Sequence, residues 1–451
     1  MTLAPLTPQN LKISTLGPRT CKSPLALRLP GNENRGGQFV NDEARVRYCV
    51  DLPAGLPPAP ADDPLFEKAG PRELLFFQPG NVRAAIVTCG GLCPGLNNVI
   101  RSVFLALYHN YGVKTVFGVR YGYEGLNPAT AAPLVPITTD FVEHIQETGG
   151  SVLGSSRGPQ PVPAMVDCLV ANGINMLFCV GGDGTQRGAH ALFGEIQKRA
   201  LPIAVVGIPK TIDNDLMYIE RTFGLSTAID KTNEILDCAH NEAHGVLNGV
   251  GLVKVMGRDA GFIAAGATLS NQEVNFTLVP EIPFALDGER GFLNTLRQRL
   301  ERRAHAVVIV AEGAGQDLLS ASANAGANAG AQEKDASGNV KYADIGIFLK
   351  DRINAHFKTI AMPVNVKYFD PSYFIRSVPA NGSDSWLCDQ LARHAVHAAM
   401  AGKTDVLIGY WNTSFTHIPI PLATGGKKRI HPDSDLWRSV LAATGQPPEM
   451  R

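Results

Sequence analysis

Between Ala84 and Trp411 the chain repeats one pattern. A short, continuously apolar run, often closed by glycine, is followed by a stretch of helix length. The runs are AAIVTCGG, VKTVFGVRYG, NMLFCVGG, IAVVGIPK, VGLVKVMG, FTLVPE, HAVVIVAEG, MPVNVKYFD and DVLIGYW. None alternates apolar with polar, so each reads as a strand buried on both faces, the signature of a parallel sheet. GLNNVIRSVFLALYHNYG and LSTAIDKTNEILDCAHNEA are helix candidates between them. The pattern predicts an α/β protein of two doubly wound lobes with mostly parallel sheets. In such sheets ligands bind beyond the carboxyl ends of the strands, where the glycine-rich segments fall.

The 451 residues suffice for more than one core. Residues 1–80 are rich in Pro, Gly and Asn, and only ARVRYCVDL reads as a strand there. They are expected to form an N-terminal extension packed over the body. The lobes are expected over 81–250 and 251–451, exchanging segments near the C-terminus. Residues 316–342, QDLLSASANAGANAGAQEKDASGNVKY, carry little apolar surface and many poor helix formers, so a mobile loop is expected.

Formal net charge is zero and no basic block stands out, so nothing suggests a nucleic-acid footprint, and a local anion pocket is still open. No apolar run approaches the roughly 20 residues of a membrane span, and the N-terminus lacks a secretory pattern. Eight scattered cysteines suit a reduced, cytoplasmic protein. Cys89 and Cys93 stand close together, but no further ligands lie nearby for zinc, so they read as small residues of a turn.

Several strand ends carry residues suited to phosphate chemistry. TCGGLCPGLNNVIRS is a strand, a glycine-rich turn and a helix start, a place where backbone N–H groups favour an anion or where a tight turn simply needs glycine. It matches neither a P-loop nor a dinucleotide fingerprint. GGSVLGSSRG offers Arg157 as a forked phosphate donor, or an ordinary surface loop. In VGGDGTQRGA, Asp183 is a hard oxygen ligand suited to Mg2+ riding on phosphates, flanked by Gly184 and Thr185. In GIPKTIDNDL, Asp213 and Asp215 are two apart, which in an extended segment puts both carboxylates on one face. One carboxylate accepting a hydroxyl proton, with cations such as Lys210 and a donor such as Thr211, is the equipment of phosphoryl transfer to an alcohol. VKVMGRDAGFIAAG carries Arg258, VIVAEGAG carries Glu312, and YFDPSYFIRSVPANGSD carries Tyr373 and Arg376.

With GGLCPGLN, GGDGTQRGA, PKTIDND, MGRDAG, AEGAGQ and DPSYFIR in this order, the chain resembles the 6-phosphofructokinases from about Ala84 to Trp411. The resemblance implies a phosphofructokinase-like fold and transfer of a phosphoryl group from Mg-ATP to the 1-hydroxyl of fructose 6-phosphate. It implies Asp213 as the base, Thr211 and Arg258 at the transferring group, Asp215 beside the magnesium region, and Asp183 as the Mg2+ site. Gly90, Arg157, Gly184 and Thr185 match the donor side. Met256, Gly257 and Glu312 match the sugar side, and Arg376 the 6-phosphate, with Lys367 and Tyr373 at positions where short bacterial members have arginine and histidine. Gly249, nine before Arg258, stands where those members have an arginine shared between subunits. These departures, the extension and the AEGAGQ segment resemble the plant-type and trypanosomatid branch. A cytoplasmic homo-oligomer, dimer or tetramer, is expected, with no nucleic-acid or membrane partner.

Two positions bear on the donor. Pyrophosphate users of the family carry Asp where this chain has Gly184 and Lys where it has Lys210. Short bacterial ATP enzymes carry Gly at both. The mixture of Gly184 with Lys210 matches the plant-type ATP enzymes, so ATP is the expected donor. The alternatives are pyrophosphate as donor, or a metabolite-sensing subunit without turnover.

Overall fold

The computed structural model describes residues 6–27, 39–50, 64–130, 132–324 and 342–451. The chain forms two compact units. One comprises Met1–Thr211, Leu216–Gly224 and Ser377–Lys427, the other Ile212–Asp215, Leu225–Arg376 and Lys428–Arg451.

The first unit is built on a nine-stranded sheet. Its centre is five parallel strands in the order Val406–Trp411, Ala204–Pro209, Met176–Gly181, Arg83–Thr88 and Thr115–Val119. Met176–Gly181 and Ala204–Pro209 are buried along their whole length, as their unbroken apolar sequences require. The flanks are antiparallel. Val135–Pro136 closes one edge, while Ser414–Pro419, Leu65–Lys68 and Arg45–Arg47 extend the other. Two strands from before residue 80, Arg45–Arg47 and Leu65–Lys68, are therefore part of the sheet itself. Within ARVRYCVDL only Arg45–Arg47 is a strand, and residues 51–52 lie outside the described residues. The strand Leu65–Lys68 had no clear signal because LFEK is four residues, two apolar then two charged, with no alternation to read.

The second unit has four parallel strands, ordered Phe276–Leu278, His305–Ala311, Gly249–Val255 and Asn365–Phe369. Val250, Leu252, Val308 and Val310 face a core shared with Leu296, Leu300, Leu349 and Ile353 of the covering helices. The division between units falls at Gly224, ahead of the helix Leu225–His244, and not at residue 250. That helix packs on Gly249–Val255, so it belongs to the sheet that follows it.

Gln316–Asn324 is a helix, which corrects the expectation of a loop from 316 onward. Leu318 and Leu319 pack on the second core, and Gln316 Nε2 donates to the carbonyls of Glu312 (2.8 Å) and Ala343 (3.0 Å). Two leucines with a tethered first turn suffice where composition counts only the alanines and asparagines beyond them. Residues 325–341 lie outside the described residues.

Candidate functional site

In the first unit, three adjacent parallel strands end at the residues singled out above. After Arg83–Thr88 the chain turns through Gly90 at φ +87°, a left-handed conformation that favours glycine. Gly90 N donates to Ser156 O (3.1 Å), and Ser155 Oγ to Gly90 O (2.6 Å). This lays the GSSRG loop beside the turn. A Cβ at Gly91 would lie 3.1 Å from the Arg157 guanidinium, and one at Gly90 would lie 3.0 Å from Lys210 Nζ. Lys210, buried at the end of Ala204–Pro209, donates from Nζ to Gly91 O at 2.5 Å. Gly90, Gly91, Arg157 and Lys210 therefore form one small, cationic cluster. Thr211 follows, its carbonyl accepting from Thr222 Oγ1 at 2.6 Å.

Beyond Met176–Gly181 the helix Asp183–Lys198 begins directly at Asp183. A carboxylate in the first turn suits the partial positive charge there. Arg187 meets Asp183 Oδ2 at 2.5 Å and Lys427 Nζ lies 3.8 Å from the same oxygen. Asp183 Oδ1 is buried with no hydrogen-bond partner among the described residues. An orphaned carboxylate oxygen of this kind fits a hard divalent cation. Among the described residues no group of three or more His, Cys, Asp or Glu is arranged to hold a metal. Asp183 is the residue that would hold such a cation. Next to it, Gly184 is exposed and a Cβ there would meet nothing within 4 Å. Thr185 is buried, its carbonyl accepting from Tyr123 OH at 2.8 Å. Burial pushes the Cys89 thiol up to about 12, so it stays protonated at neutral pH.

In the second unit, Gly249–Val255 delivers Met256, Gly257 and Arg258. Arg258 sits at φ +48°, unusual for a residue with a side chain. Glu312, at the end of the neighbouring strand, holds it there: Arg258 N donates to Glu312 Oε1 (3.0 Å), while Glu312 N donates to Val255 O (2.9 Å). Burial raises the Glu312 pKa, and the bond from Arg258 N only partly offsets it. The Arg258 guanidinium lies 5.6 Å from the Tyr342 ring centre. Lys367 is in the strand Asn365–Phe369, paired with Gly251. Arg376 ends the helix Ser372–Arg376 and lies 4.5 Å from the ring centre of the exposed Tyr373. That helix is anchored by Asp370, which accepts from Ser372 Oγ (2.6 Å) and meets Lys254 Nζ at 2.9 Å. Burial works against the Lys254 charge, but its bonds to Asp344 and Asp370 outweigh burial and raise its pKa.

Asp213 and Asp215 do not lie on an extended segment. Residues 212–213 form a turn and Asn214 takes φ +55°, so the two carboxylates occupy different surroundings: Asp215 is buried and Asp213 half-buried. Asparagine tolerates the left-handed conformation because its short amide bonds locally. Several contributors went unread in sequence. Gln186 donates from Nε2 to the carbonyls of Cys179, Gly181 and Ile208, tying the ends of two central strands together. Lys427 lies in GGKKRI, a basic stretch after a glycine pair that signals a candidate phosphate contact once the preceding strand is placed in the sheet.

The family model described as Phosphofructokinase matches residues 83–399. The chain belongs to the phosphofructokinase family. An ATP-dependent 6-phosphofructokinase from Borreliella burgdorferi is 46% identical over 448 residues, 98% of this chain and 98% of that protein. One from Amycolatopsis methanolica is 47% identical, covering 86% of this chain and 83% of its own length. ATP-dependent 6-phosphofructokinase 5, chloroplastic, from Arabidopsis thaliana is 44% identical, covering 84% and 69%. The crystal structure of a pyrophosphate-dependent phosphofructokinase from Marinobacter aquaeolei matches with a TM-score of 0.65 at 20% identity, over 80% of this chain and 91% of that one. At that identity the likeness establishes the shared fold.

Within this phosphofructokinase, the departure at Gly249 has a steric reason. A Cβ there would come within 2.1 Å of the Ala243 carbonyl oxygen. No side chain fits without moving the helix Leu225–His244, so an arginine at that position is incompatible with this packing. Among the described residues no helix is long and apolar enough to cross a membrane.

Proposed function

We propose that the chain transfers the γ-phosphoryl group of ATP to the 1-hydroxyl of fructose 6-phosphate, giving fructose 1,6-bisphosphate and ADP. The observation that carries this reading is the pairing of an orphaned Asp183 oxygen with unfilled space at Gly184. The relatives' names, at 44–47% identity, point the same way. Asp213 accepts the proton of the 1-hydroxyl as its oxygen bonds to the γ-phosphorus and the bond to ADP breaks. Lys210, Thr211 and Arg258 offset the charge on the transferring group, the largest service a protein gives in such reactions. Gly90, Arg157, Gly184 and Thr185 line the donor. Met256, Gly257 and Glu312 hold the sugar, Asp215 supports the metal region, and Lys367, Tyr373 and Arg376 hold the 6-phosphate. Mg2+ at Asp183, when bound, supplies neutralisation of the donor phosphates.

We place this activity in the cytoplasm, in a homo-oligomer whose size light scattering will give. The deciding experiment is fructose 6-phosphate phosphorylation with magnesium, run in parallel with ATP and with pyrophosphate. Turnover with ATP alone is the expected result. Turnover with pyrophosphate alone would mean that Lys210, not Gly184, selects the donor. Binding of sugar phosphate without turnover would leave a sensing subunit.

A further inference from the structure

The carboxylate of Glu281 lies outside every motif above, yet it joins two segments of the second unit. Its Oε1 accepts from Gly261 N (3.0 Å) and from Ile430 N (2.9 Å), while Oε2 is buried with no hydrogen-bond partner among the described residues. Gly261 closes the turn that carries Met256, Gly257 and Arg258 and precedes the helix Phe262–Asn271. A side chain at 261 would sit 2.4 Å from Val279 and 3.1 Å from Glu281 Oε2, so glycine there is what lets the carboxylate approach.

Ile430 belongs to the segment Lys428–Ile430, which makes two further contacts. Lys428 N donates to Asp215 O at 2.9 Å, and Lys428 Nζ lies 5.1 Å from the Phe262 ring centre. Three consecutive residues therefore hold the backbone of the TIDND segment at one end and, through Glu281, the Arg258 turn at the other. Arg258 itself stands in a left-handed conformation, which persists only where its surroundings over-determine it. Glu312 fixes one side of that turn and Glu281 the other.

We infer that Glu281 is a positioning residue, setting the Arg258 turn against the Asp213–Asp215 segment through the strap Lys428–Ile430. The inference rests on the reaction proposed above. Both bonds need an acceptor at one defined point, and neither needs a charge. Glutamine keeps that acceptor. Alanine removes it, and aspartate withdraws it by one methylene.

The test compares Glu281→Ala, Glu281→Asp and Glu281→Gln with the unaltered protein. It reads KM for fructose 6-phosphate and for ATP, and backbone hydrogen exchange over residues 256–262 and 428–431. In Ala and Asp, KM for fructose 6-phosphate should rise about tenfold or more, in line with the cost of small misplacements. KM for ATP should stay within about twofold, and exchange should quicken in both segments together. Gln should return both readouts close to the unaltered values. A general loss of folded protein lowers the apparent kcat without raising one KM alone, so the split separates positioning from stability. If Ala does not fold, Asp carries the same comparison. The inference is overturned if KM for fructose 6-phosphate is unchanged in Asp, or if Gln is as impaired as Asp. Absence of turnover in the unaltered protein would overturn the proposed reaction, while the exchange measurement still judges the strap.

Discussion

Substituting Gly184→Asp separates donor choice from stability. Gly184 is the second residue of the helix Asp183–Lys198, is exposed, and has nothing within 4 Å of where a Cβ would lie. The new side chain therefore costs no packing. Aspartate is only slightly better than glycine as a helix former, so the backbone gains at most about 0.3 kcal/mol, and a carboxylate in the first turn gains roughly 0.3–1 kcal/mol from the helix dipole. The melting temperature should hold or rise. ATP use should suffer, because the space at 184 is the space proposed for the nucleotide. A carboxylate about 5 Å from a donor phosphate, at an effective dielectric constant of about 20, is repelled by about 3 kcal/mol. Exposure and salt reduce this to about 2 kcal/mol. The expected loss in kcat/KM for ATP is then about thirtyfold, while a pyrophosphate donor, which needs less room, is spared. A coupled spectrophotometric assay at fixed magnesium, with ATP titrated at saturating fructose 6-phosphate, measures it directly. Retention of the full kcat/KM for ATP would falsify the account of Gly184. A fall in melting temperature would refute the reading of the site as open.

Asp213→Asn should lower kcat about 10²- to 10⁴-fold, the span for a lost general base, with the fold intact by circular dichroism; full turnover would place the base elsewhere. Chelation of divalent cations should abolish turnover and added Mg2+ restore it. Asp183→Asn should raise the Mg2+ concentration needed for half-maximal rate, and an unchanged requirement would remove Asp183 from the metal site. Acid should destabilise the first unit through its buried histidines. Burial, with Glu67 opposing, holds His417 down to about 4, and burial and neighbouring cations hold His394 and His397 down to about 3. Between about pH 6.5 and 4 the unfolded His417 binds a proton that the folded one refuses. Its stabilisation is complete above pH 6.5 and declines on acidification by about 1.4 kcal/mol per pH unit. Thermal melts across pH 7 to 5 should show this, and His417→Gln should flatten the slope.

Each of the nine runs is a strand of the structure, and most were legible because a parallel strand covered on both faces needs no polar partner in sequence; Asn365–Phe369, at a sheet edge, is only half-buried. The candidate residues at the strand ends were legible for a related reason. Lys210 follows directly on such a strand, and Gly90 and Asp183 each stand two residues past one, so strand position predicts where they stand. The short strand Leu65–Lys68, between Arg45–Arg47 and Ser414–Pro419, was not, because four residues specify no face until the sheet beside them exists. What holds it is long-range: Glu67 meets Lys403 Nζ at 2.6 Å, His417 Nδ1 at 2.9 Å and the Arg72 guanidinium at 3.0 Å. Burial opposes the Glu67 charge, yet the bonds from His417 and the charge of Lys403 outweigh it and bring its pKa down to about 2. At neutral pH His417 is uncharged, so Lys403 and Arg72 neutralise the carboxylate there.

Glu281 shows the same limit at the candidate site. A glutamate after proline in LVPEIP has no periodicity or motif to mark it, since its two partners stand 20 and 149 residues away in the chain. Sequence pattern reports what a residue does for its own element. Gly249, Gln186 and Glu281 act on other elements, through a close approach, a triple carbonyl contact and a shared acceptor oxygen. Each such role follows from backbone groups that every residue type presents alike, so composition carries no trace of it. Residues that touch substrate must have particular chemistry and therefore stand out in the chain. Residues that position them need only the right reach, which is why the closing test on Glu281 turns on one methylene.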